Sequence, residues 1–409
     1  MSDVTKGIKE LIEAHGSPPR HVYLDSENSG IILPEALKAM IDAYHRNLGH
    51  PSITHRKGWE AYQALYEAAE AISASIGSRP EELVFTHSGT EANNLAVLGS
   101  ARANKSGRRK IIVSSIEHLS VVFPAEKLVD AGYKLVKIPV DSEGFVDLEA
   151  LSEAVDKDTF LVSIGAVNHE IGTIQDLRAV SEIVKDKAPH AIIHSDAVDA
   201  LGRIHLDVNK LGLDMATFSS HKVYGPKGAG ALYVSENIKL SAILYGQLST
   251  QRLWPGVENV PAIIGFATAV KSLVSHLEEN TARTRRLSNM LIDGILSSVE
   301  GTLLNGPQGD RRAADNVNIS FLHCEGEALT VELSLRGIYV SSGSACTTRL
   351  LEPSHVLLAI GRRYEEAHGS ILMKITPMHS EEDIIYVLDN IPEAVKRIRG
   401  LGPLGREVA

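Results

Sequence analysis

The sequence predicts an α/β protein in which a larger domain holds a mostly parallel, doubly wound sheet and a smaller α+β domain follows. With 409 residues and a hydrophobic content of 44%, the chain is long enough to bury two cores, because single cores stop growing at roughly 250–300 residues. Short β-rich runs alternate with helical patterns between about residues 82 and 236. Such alternation is typical of a parallel sheet covered by helices.

We expect the larger domain to cover residues 22–260 and the smaller one to cover residues 261–409. The segment before about residue 35 could pack with the smaller domain. The candidate strands of the larger sheet begin at Leu83, Ile111, Lys134, Phe160, Ala191, Met215 and Ala231. Residues 59–76 carry apolar side chains three and four positions apart, which predicts an amphipathic helix docked on the larger domain.

The smaller domain is expected to begin with a long helical stretch from Pro261 to about Glu300. It then mixes strands near 316–321 and 371–375 with helices near 325–336 and 380–399.

Charge and composition exclude several classes of function. The formal net charge of −10 is spread along the chain without a long basic or acidic block, so no nucleic-acid partner is indicated. No apolar run approaches the ~20 residues of a membrane-spanning helix, and the N-terminus is polar. We therefore expect a cytoplasmic protein without a membrane partner. Cys324 and Cys346 are too few for a disulfide framework, so each is either a buried apolar side chain or a reactive thiol.

Lys222 is the first candidate for catalysis, since it follows an apolar strand and precedes a Gly/Pro turn. Ligands of open α/β sheets bind at the carboxyl ends of strands, where a lysine can form a Schiff base. Such a lysine must lose its proton near neutral pH, which burial and nearby positive charge promote. Ser219 and His221 are suitable phosphate donors beside it, whereas the rival Lys227 is flanked by turn glycines. Taken alone, a lysine before a turn is more often solvated.

Two further segments are expected to reach the same sheet edge. Asp196 ends a predicted strand, and an acid there can keep the ring nitrogen of pyridoxal phosphate protonated. The turn from Thr86 to Asn94 contains Gly89 and Thr90, whose free N–H groups can bind an anion at the start of a helix. An ordinary helix cap explains each segment alone, but phosphate binding explains them together with the lysine.

His118 and Cys346 complete the candidates. His118 ends the strand that begins at Ile111, so its imidazole can lie on a cofactor ring and transfer protons, although a lone histidine more often only packs. Cys346 lies in a run of small residues that suits a movable loop, and a reactive cysteine needs access and thiolate character. It is therefore a better nucleophile candidate than Cys324, with a buried structural role as the alternative.

Together these segments resemble the cysteine desulfurase family, which belongs to the fold-type-I, class-V aminotransferase-like enzymes that use pyridoxal 5'-phosphate. The resemblance runs from about Tyr23 to Arg399. The ordered matches are residues 49–52, 89–94, 117–118, 170–175, 219–230, 341–346 and 351–357. The resemblance implies a large cofactor-binding domain and a small domain that carries the Cys346 loop.

The resemblance also implies residue roles. It makes Lys222 the covalent cofactor lysine, places His118 on the cofactor ring, and pairs Asp196 with the pyridine nitrogen. It implies that Cys346 takes sulfur from L-cysteine or a related amino acid, leaving alanine and a persulfide for an acceptor such as an iron–sulfur scaffold or a tRNA-thiolation protein. The cofactor contacts it implies are Gly89, Thr90, His169, Asp196, Asp199, Ser219, Ser220, His221 and Lys222. Members of the family are homodimers.

Several positions depart from the family pattern. His169 replaces the second residue of an Asn-Asn pair, and Asp199 replaces a glutamine near the phenolic oxygen of the cofactor, which an anion would repel. Val257 replaces a threonine that usually reaches the phosphate across the dimer. Leu372 replaces an arginine that clamps the substrate carboxylate, which leucine cannot bind. Residues 25–30 contain acids where small residues are usual.

Two hypotheses follow, and the first is favoured. In the first, the chain is a working desulfurase in which Arg252, Arg349, Arg362 or a partner protein replaces the missing arginine. In the second, it is a diverged homologue with little activity whose Cys346 serves a scaffold complex as iron–sulfur ligand or sulfur carrier. No other metal ligand is indicated. A lyase or aminotransferase that acts on another amino acid is a third interpretation.

Overall fold

A mixed sheet organises the larger part of the chain. The computed structural model describes residues 3–342 and 353–401. Its strands are β1 (Val22–Tyr23), β2 (Leu83–Thr86), β3 (Lys110–Ser114), β4 (Lys134–Ile138), β5 (Thr159–Ser163), β6 (Ile192–Asp196), β7 (Met215–Ser219), β8 (Gly230–Val234), β9 (Thr302–Leu304), β10 (Asn316–Phe321), β11 (Ile338–Tyr339), β12 (Ser341–Ser342) and β13 (Ser370–Lys374).

Helices cover the sheets and connect their strands. They are α1 (Asp3–His15), α2 (Pro34–His45), α3 (Arg56–Ile76), α4 (Gly89–Asn94), α5 (Ser100–Ala103), α6 (Leu119–Val129), α7 (Leu148–Ala154), α8 (Leu177–Lys187), α9 (Val260–Ser275), α10 (Leu277–Ser298), α11 (Gly326–Leu335), α12 (His355–Ala359), α13 (Tyr364–His368) and α14 (Glu381–Leu401). A π-helical turn, Leu95–Gly99, joins α4 to α5, and a 3₁₀ turn, Ser220–Val223, follows β7.

The large sheet has the strand order β2-β8-β7-β6-β5-β3-β4. Its strands are parallel except β8, which runs antiparallel to both β2 and β7. This architecture confirms the predicted mostly parallel α/β sheet. Residues of β3, β5 and β7 are buried throughout, which explains their continuous apolar runs. Because β3, β5, β6 and β7 are parallel, their carboxyl ends open at one edge.

Helices α9 and α10 differ from the single helical stretch that the sequence predicts. They are separate helices bent by 79°, and the bend falls at His276. Buried side chains of α9, such as Phe266, belong to the core of the large sheet, whereas Leu291 of α10 lies in the core of the small domain. The domain boundary at residue 261 stays a prediction. In the described ranges no single helix is long and apolar enough to cross a membrane, and α9 with α10 meets length and composition criteria only as this bent pair.

The N-terminal segment packs on the smaller domain. Strand β1 pairs in parallel with β11, and Val22 and Leu24 join the core around the sheet β12-β13-β10-β9. The backbone N–H of Lys374 in β13 donates to the Leu24 carbonyl over 2.8 Å. This attachment carries the turn that follows, residues 25–30, across to the carboxyl edge of the large sheet.

Gly30 lies against the backbone of His221, with no room for a side chain. A Cβ added to Gly30 would lie 2.0 Å from the backbone oxygen of His221. We expect Gly30→Ala to lower the free energy of unfolding by about 1–3 kcal/mol, because overpacking at a fixed backbone forces the segments apart. Thermal unfolding of the purified variant measures this. Gly400→Ala is the control, since nothing lies within 4 Å of its added Cβ. Equal melting temperatures of the two variants would contradict the expected contact.

Candidate active site

A cavity of about 220 Å³ opens at the carboxyl edge of the large sheet. Of the predicted site residues it brings together Gly89, Thr90, His118, His169, Asp196, Asp199, Ser219, His221 and Lys222. Ser220 is fully buried beside it, and Lys227 is exposed. Val257 is also exposed and lies outside this cavity. Cys346 lies outside the described residues.

Lys222 reaches the cavity because β7 ends at Ser219 and the 3₁₀ turn carries the lysine inward. Its Nζ contacts the Glu27 carboxylate and lies 3.0 Å from Oδ2 of Asp199. Burial lowers the pKa of Lys222, but the Asp199 and Glu27 carboxylates outweigh that effect and raise it above its ordinary value. The positive charge expected nearby is present as Lys374, but two acids also face the amine, so the pKa of Lys222 is shifted in the direction opposite to the predicted one. The role of Lys222 as the cofactor lysine stays a prediction.

This amine belongs to a group of six charged side chains, largely withdrawn from water, which we call the charge cluster. Its members are Glu27, Asp199, Asp315, Lys222, Lys374 and Arg203. Lys374 Nζ lies 3.3 Å from Glu27 Oε2, 3.3 Å from Asp199 Oδ1 and 3.7 Å from Asp315 Oδ2.

Arg203 joins the second half of the cluster to the lysine turn. Its Nε lies 2.5 Å from Asp315 Oδ2, and its Nη2 donates to the Lys222 carbonyl over 2.9 Å. Three cations thus face three carboxylates. This balance matters because an unpaired charge removed from water costs several kcal/mol.

Asp199 is an anion in this setting. Burial alone would raise the pKa of the Asp199 carboxyl, but Lys222, Lys374 and Arg203 hold it well below its usual range. The sequence predicts that Asp199 repels the phenolic oxygen of the cofactor. The cations of the charge cluster counter that repulsion.

Asp196 and His118 are joined through the side chains of Asn93 and Ser120. Asn93 Nδ2 donates to Asp196 Oδ2 over 2.7 Å and to Ser120 Oγ over 2.8 Å. His118 Nδ1 lies 2.6 Å from Ser120 Oγ and accepts from the Ser120 N–H over 3.1 Å. Burial, with a contribution from His169, lowers the pKa of His118 to about 4. Its imidazole is therefore neutral at pH 7 and able to accept a proton.

His169 lies edge-on to His118, with 5.0 Å between ring centroids. Its Nε2 is 3.5 Å from Oε1 of Glu170, whose Oε2 accepts from Ser354 Oγ over 2.5 Å. Burial opposes the charged imidazole, but the Glu170 carboxylate raises the pKa of His169 above its ordinary value. An imidazole paired with a carboxylate thus lines the cavity where the family pattern has an amide, and the hydrogen bond from Ser354 links Glu170 to the residues that follow position 352.

The residues of the cavity fit pyridoxal phosphate. The Oγ atoms of Ser219 and Ser220 and Nδ1 of His221 are buried without a hydrogen-bond partner, which a phosphate could supply. A Cβ on Gly89 would lie 3.0 Å from Val198 Cγ2 and 3.2 Å from Ser219 Cβ, so the glycine keeps the start of α4 close to these donors. The backbone N–H groups at this helix start add to the anion site.

The sequence analysis singled out the turn 25–30, which contains Glu27, but it did not identify Lys374, Arg203 or Asp315 as members of the site. Lys374 had a usable signal, because it stands in an otherwise apolar strand and a buried lysine requires a carboxylate partner. The proposed replacement Arg362 binds Asn305 Oδ1 and the Leu304 carbonyl instead of lining the cavity. Arg252 is exposed and does not line it, and Arg349 lies outside the described residues.

Glu117, a neighbour of His118, generates a prediction about pH. It accepts from Ser114 Oγ over 2.6 Å and from the Gly165 N–H over 2.9 Å, and burial raises its pKa to about 7. Because the folded-state pKa exceeds that of the unfolded chain, the fold loses stability as pH rises through about 7, by up to about 3 kcal/mol.

Glutamine keeps the acceptor oxygen and stays neutral. We expect Glu117→Gln, relative to the wild type, to gain stability between about pH 5 and about pH 8. Chemical unfolding of both cofactor-free proteins at each pH measures the difference. A difference that stays constant with pH would contradict the burial of an ionisable carboxyl at this position.

Comparison with known proteins identifies the family. The model of the family "Aminotransferase class-V" matches residues 22–385. "Cysteine desulfurase IscS 1" of Archaeoglobus fulgidus is 40% identical over 384 residues, covering 94% of this chain and 99% of that protein. The mitochondrial cysteine desulfurase of Saccharomyces cerevisiae is 38% identical over 395 residues, covering 96% of this chain and 78% of the yeast protein.

Solved structures of similar proteins support the same family assignment. A NifS-like protein superposes with a TM-score of 0.87 at 34% identity, covering 92% of this chain and 100% of that one. A NifS-like protein from Rickettsia africae has a TM-score of 0.81 at 28% identity, covering 92% and 99%. The family's members use pyridoxal 5'-phosphate. The chain therefore belongs to the cysteine desulfurase family of class-V aminotransferases.

Proposed function

We propose that this chain is a cytoplasmic, pyridoxal-phosphate-dependent cysteine desulfurase that transfers sulfur from L-cysteine to Cys346 and releases alanine. The observation that carries the proposal is the convergence of Lys222, Asp196, His118 and the unpartnered donors Ser219 and His221 on one cavity. This set can hold the cofactor at its aldehyde, ring nitrogen and phosphate. Family membership supports the reaction.

Lys222 and Asp196 hold the cofactor in this proposal. When bound, pyridoxal phosphate supplies an electron sink for carbanion chemistry on the amino acid. Asp196 already accepts hydrogen bonds from Asn93 and from the Val198 N–H, so its carboxylate is fixed in orientation. In that position it favours a protonated pyridine nitrogen.

His118 moves protons in this proposal. It is neutral near pH 7, and its Nδ1 is engaged by Ser120. While Nδ1 accepts from the Ser120 N–H, the proton of the neutral ring is on Nε2. Nε2 can accept a proton from the amino acid only in the other tautomer, in which Nδ1 carries the proton and donates it to Ser120 Oγ, 2.6 Å away. A pKa of about 4 leaves the ring unprotonated at pH 7 but makes it a weak base, so the role of His118 is supported by its position in the cavity and not by its pKa.

Cys346 receives the sulfur. Its thiolate attacks the sulfur of the substrate, forming an S–S bond while the substrate's C–S bond breaks, and the carbon skeleton takes up a proton to become alanine. The outer sulfur of the Cys346 persulfide then passes to an acceptor protein. The proposed classes of acceptor are an iron–sulfur scaffold and a tRNA-thiolation protein. We propose that the enzyme acts as a homodimer.

The substrate-carboxylate site is altered in this proposal. Leu372 lines the cavity where the family pattern has an arginine, and Glu27 adds a carboxylate to the same wall. These two residues favour a second candidate function, in which turnover is low and Cys346 serves a scaffold as iron–sulfur ligand or sulfur carrier. A lyase or aminotransferase activity on another amino acid would be compatible with the same cofactor site.

Product analysis tests the proposal. With cofactor, L-cysteine and a thiol reductant, we expect the purified chain to release sulfide and alanine in equal amounts. Cys346→Ser is expected to lose sulfide release while keeping the visible absorption of the bound cofactor, because the thiolate is needed only after the cofactor has bound.

The matched control is Cys324→Ser. Cys324 is buried in the core of the small domain, and burial raises its pKa, so its thiol is not activated. We expect sulfide release to persist in this variant. Cofactor absorption without sulfide in the wild type would favour the second candidate function, and a keto acid in place of alanine would favour an aminotransferase.

His118→Ala gives a further test. Since a positioned general base contributes about 10²–10⁴-fold, we expect kcat to fall by at least about a hundredfold while the cofactor stays bound. Steady-state kinetics together with an absorption spectrum separate these two effects. Unchanged kcat would remove His118 from the proposed mechanism.

A further inference from the structure

Another buried cation, Lys374, lies behind the part of the cavity wall where the family pattern has an arginine. Leu372 and Lys374 lie two residues apart in β13, so their side chains are on the same face of the strand. Leu372 borders the cavity, and Lys374 Nζ lies behind Glu27 and Asp199, two carboxylates that also border it. Lys374 is 1% exposed, which places its charge within one side-chain layer of the cavity.

Glu27 covers this cation with a carboxylate of which only one oxygen is hydrogen-bonded. Its Oε1 contacts Lys222, and its Oε2 is 3.3 Å from Lys374 Nζ. That Oε2 is buried but has no hydrogen-bond partner. The backbone at Glu27 belongs to an irregular turn and not to a helix or strand. A rotation of this side chain would uncover the ammonium without moving the sheet.

The ammonium group of Lys374 can donate more hydrogen bonds than it makes within the described residues. An ammonium group can donate three hydrogen bonds. Within the described part of the chain it makes one, to Asp199 Oδ1 over 3.3 Å. Burial opposes the charge of Lys374, but Asp315, Asp199 and Glu27 outweigh that effect and raise the pKa of Lys374 above its ordinary value, so it stays charged. A carboxylate that replaced Glu27 would keep the cluster's balance of three cations and three anions.

We propose that Lys374 is the substrate-carboxylate receptor of this enzyme and that Glu27 occupies its place until the substrate carboxylate displaces it. The inference rests on the proposed function, because it takes an amino acid as the substrate. It assigns Lys374 the role that Leu372 cannot fulfil. Glu27 then acts as an internal competitor, so an amino acid binds only by exchanging one carboxylate for another.

Calorimetric titration of the cofactor-loaded enzyme with 3-mercaptopropionate tests the exchange. This probe has the thiol and carboxylate of cysteine but no amine, so it binds without reacting at the cofactor. We expect Lys374→Met to weaken its binding by about tenfold or more, the loss of one charge-assisted hydrogen bond. Glu27→Gln is expected to tighten binding, because the competing anion is removed. The uncharged 3-mercaptopropionamide should be insensitive to both changes.

Kinetics give an independent readout. In Lys374→Met we expect a higher KM for L-cysteine with a smaller change in kcat and an unchanged cofactor spectrum. Lys374→Arg should restore KM to within a few fold. The matched control is Lys110→Met, which removes a buried lysine paired with Asp156 at the opposite end of β3 and should alter neither readout.

Lys374→Met leaves the cluster with a surplus anion and could fail to fold. The double variant Glu27→Gln/Lys374→Met restores the balance, and we expect it to fold but to bind 3-mercaptopropionate weakly. Wild-type affinity in Lys374→Met or in the double variant, or weaker binding by Glu27→Gln, would overturn the inference. Absence of sulfide and alanine from the wild type would refute the proposed function instead, since probe binding does not depend on turnover.

Discussion

The mutual neutralisation of the charge cluster is the constraint on which the site depends. Lys222 is nearly inaccessible to water, and a lone ammonium in that position would release its proton or destabilise the fold. Asp199 and Glu27 keep it charged, and Lys222, Lys374 and Arg203 in turn keep Asp199 ionised. Each charge is tolerated in the interior because the others are present. A substitution at one of the six positions is therefore expected to require a compensating change at another.

The cluster also connects three parts of the chain. Glu27 comes from the N-terminal segment, Asp199, Arg203 and Lys222 come from the large sheet, and Asp315 and Lys374 come from the small domain. Removal of one partner from a buried pair leaves the other unpaired, which costs more than the pair contributes. The geometry of the cavity is therefore coupled to the packing of the small domain and of the segment that begins with β1.

The strand ends could be predicted from the sequence, and the cluster could not. Asp196, His118 and Lys222 follow apolar runs that form strands. The carboxyl ends of parallel strands lie at one edge of a sheet, so a local pattern is enough to predict that these residues meet. Glu27 and Lys374 meet because the chain after β1 lies beside β13, where the Lys374 N–H donates to the Leu24 carbonyl. No local pattern encodes a pairing between segments so far apart in the sequence. The bend at His276 could not be predicted either, because no glycine or proline interrupts the helical pattern there.

The attachment point of the cofactor is the most direct measure of this account. Two buried lysines, Lys222 and Lys374, lie in the cluster, and Lys227 is the exposed alternative nearby. Borohydride reduction of the cofactor-loaded protein, followed by peptide mapping by mass spectrometry, identifies the lysine that carries the pyridoxyl group. The account predicts the label on Lys222 alone. A label on Lys374 or Lys227, or none on any lysine, would contradict it.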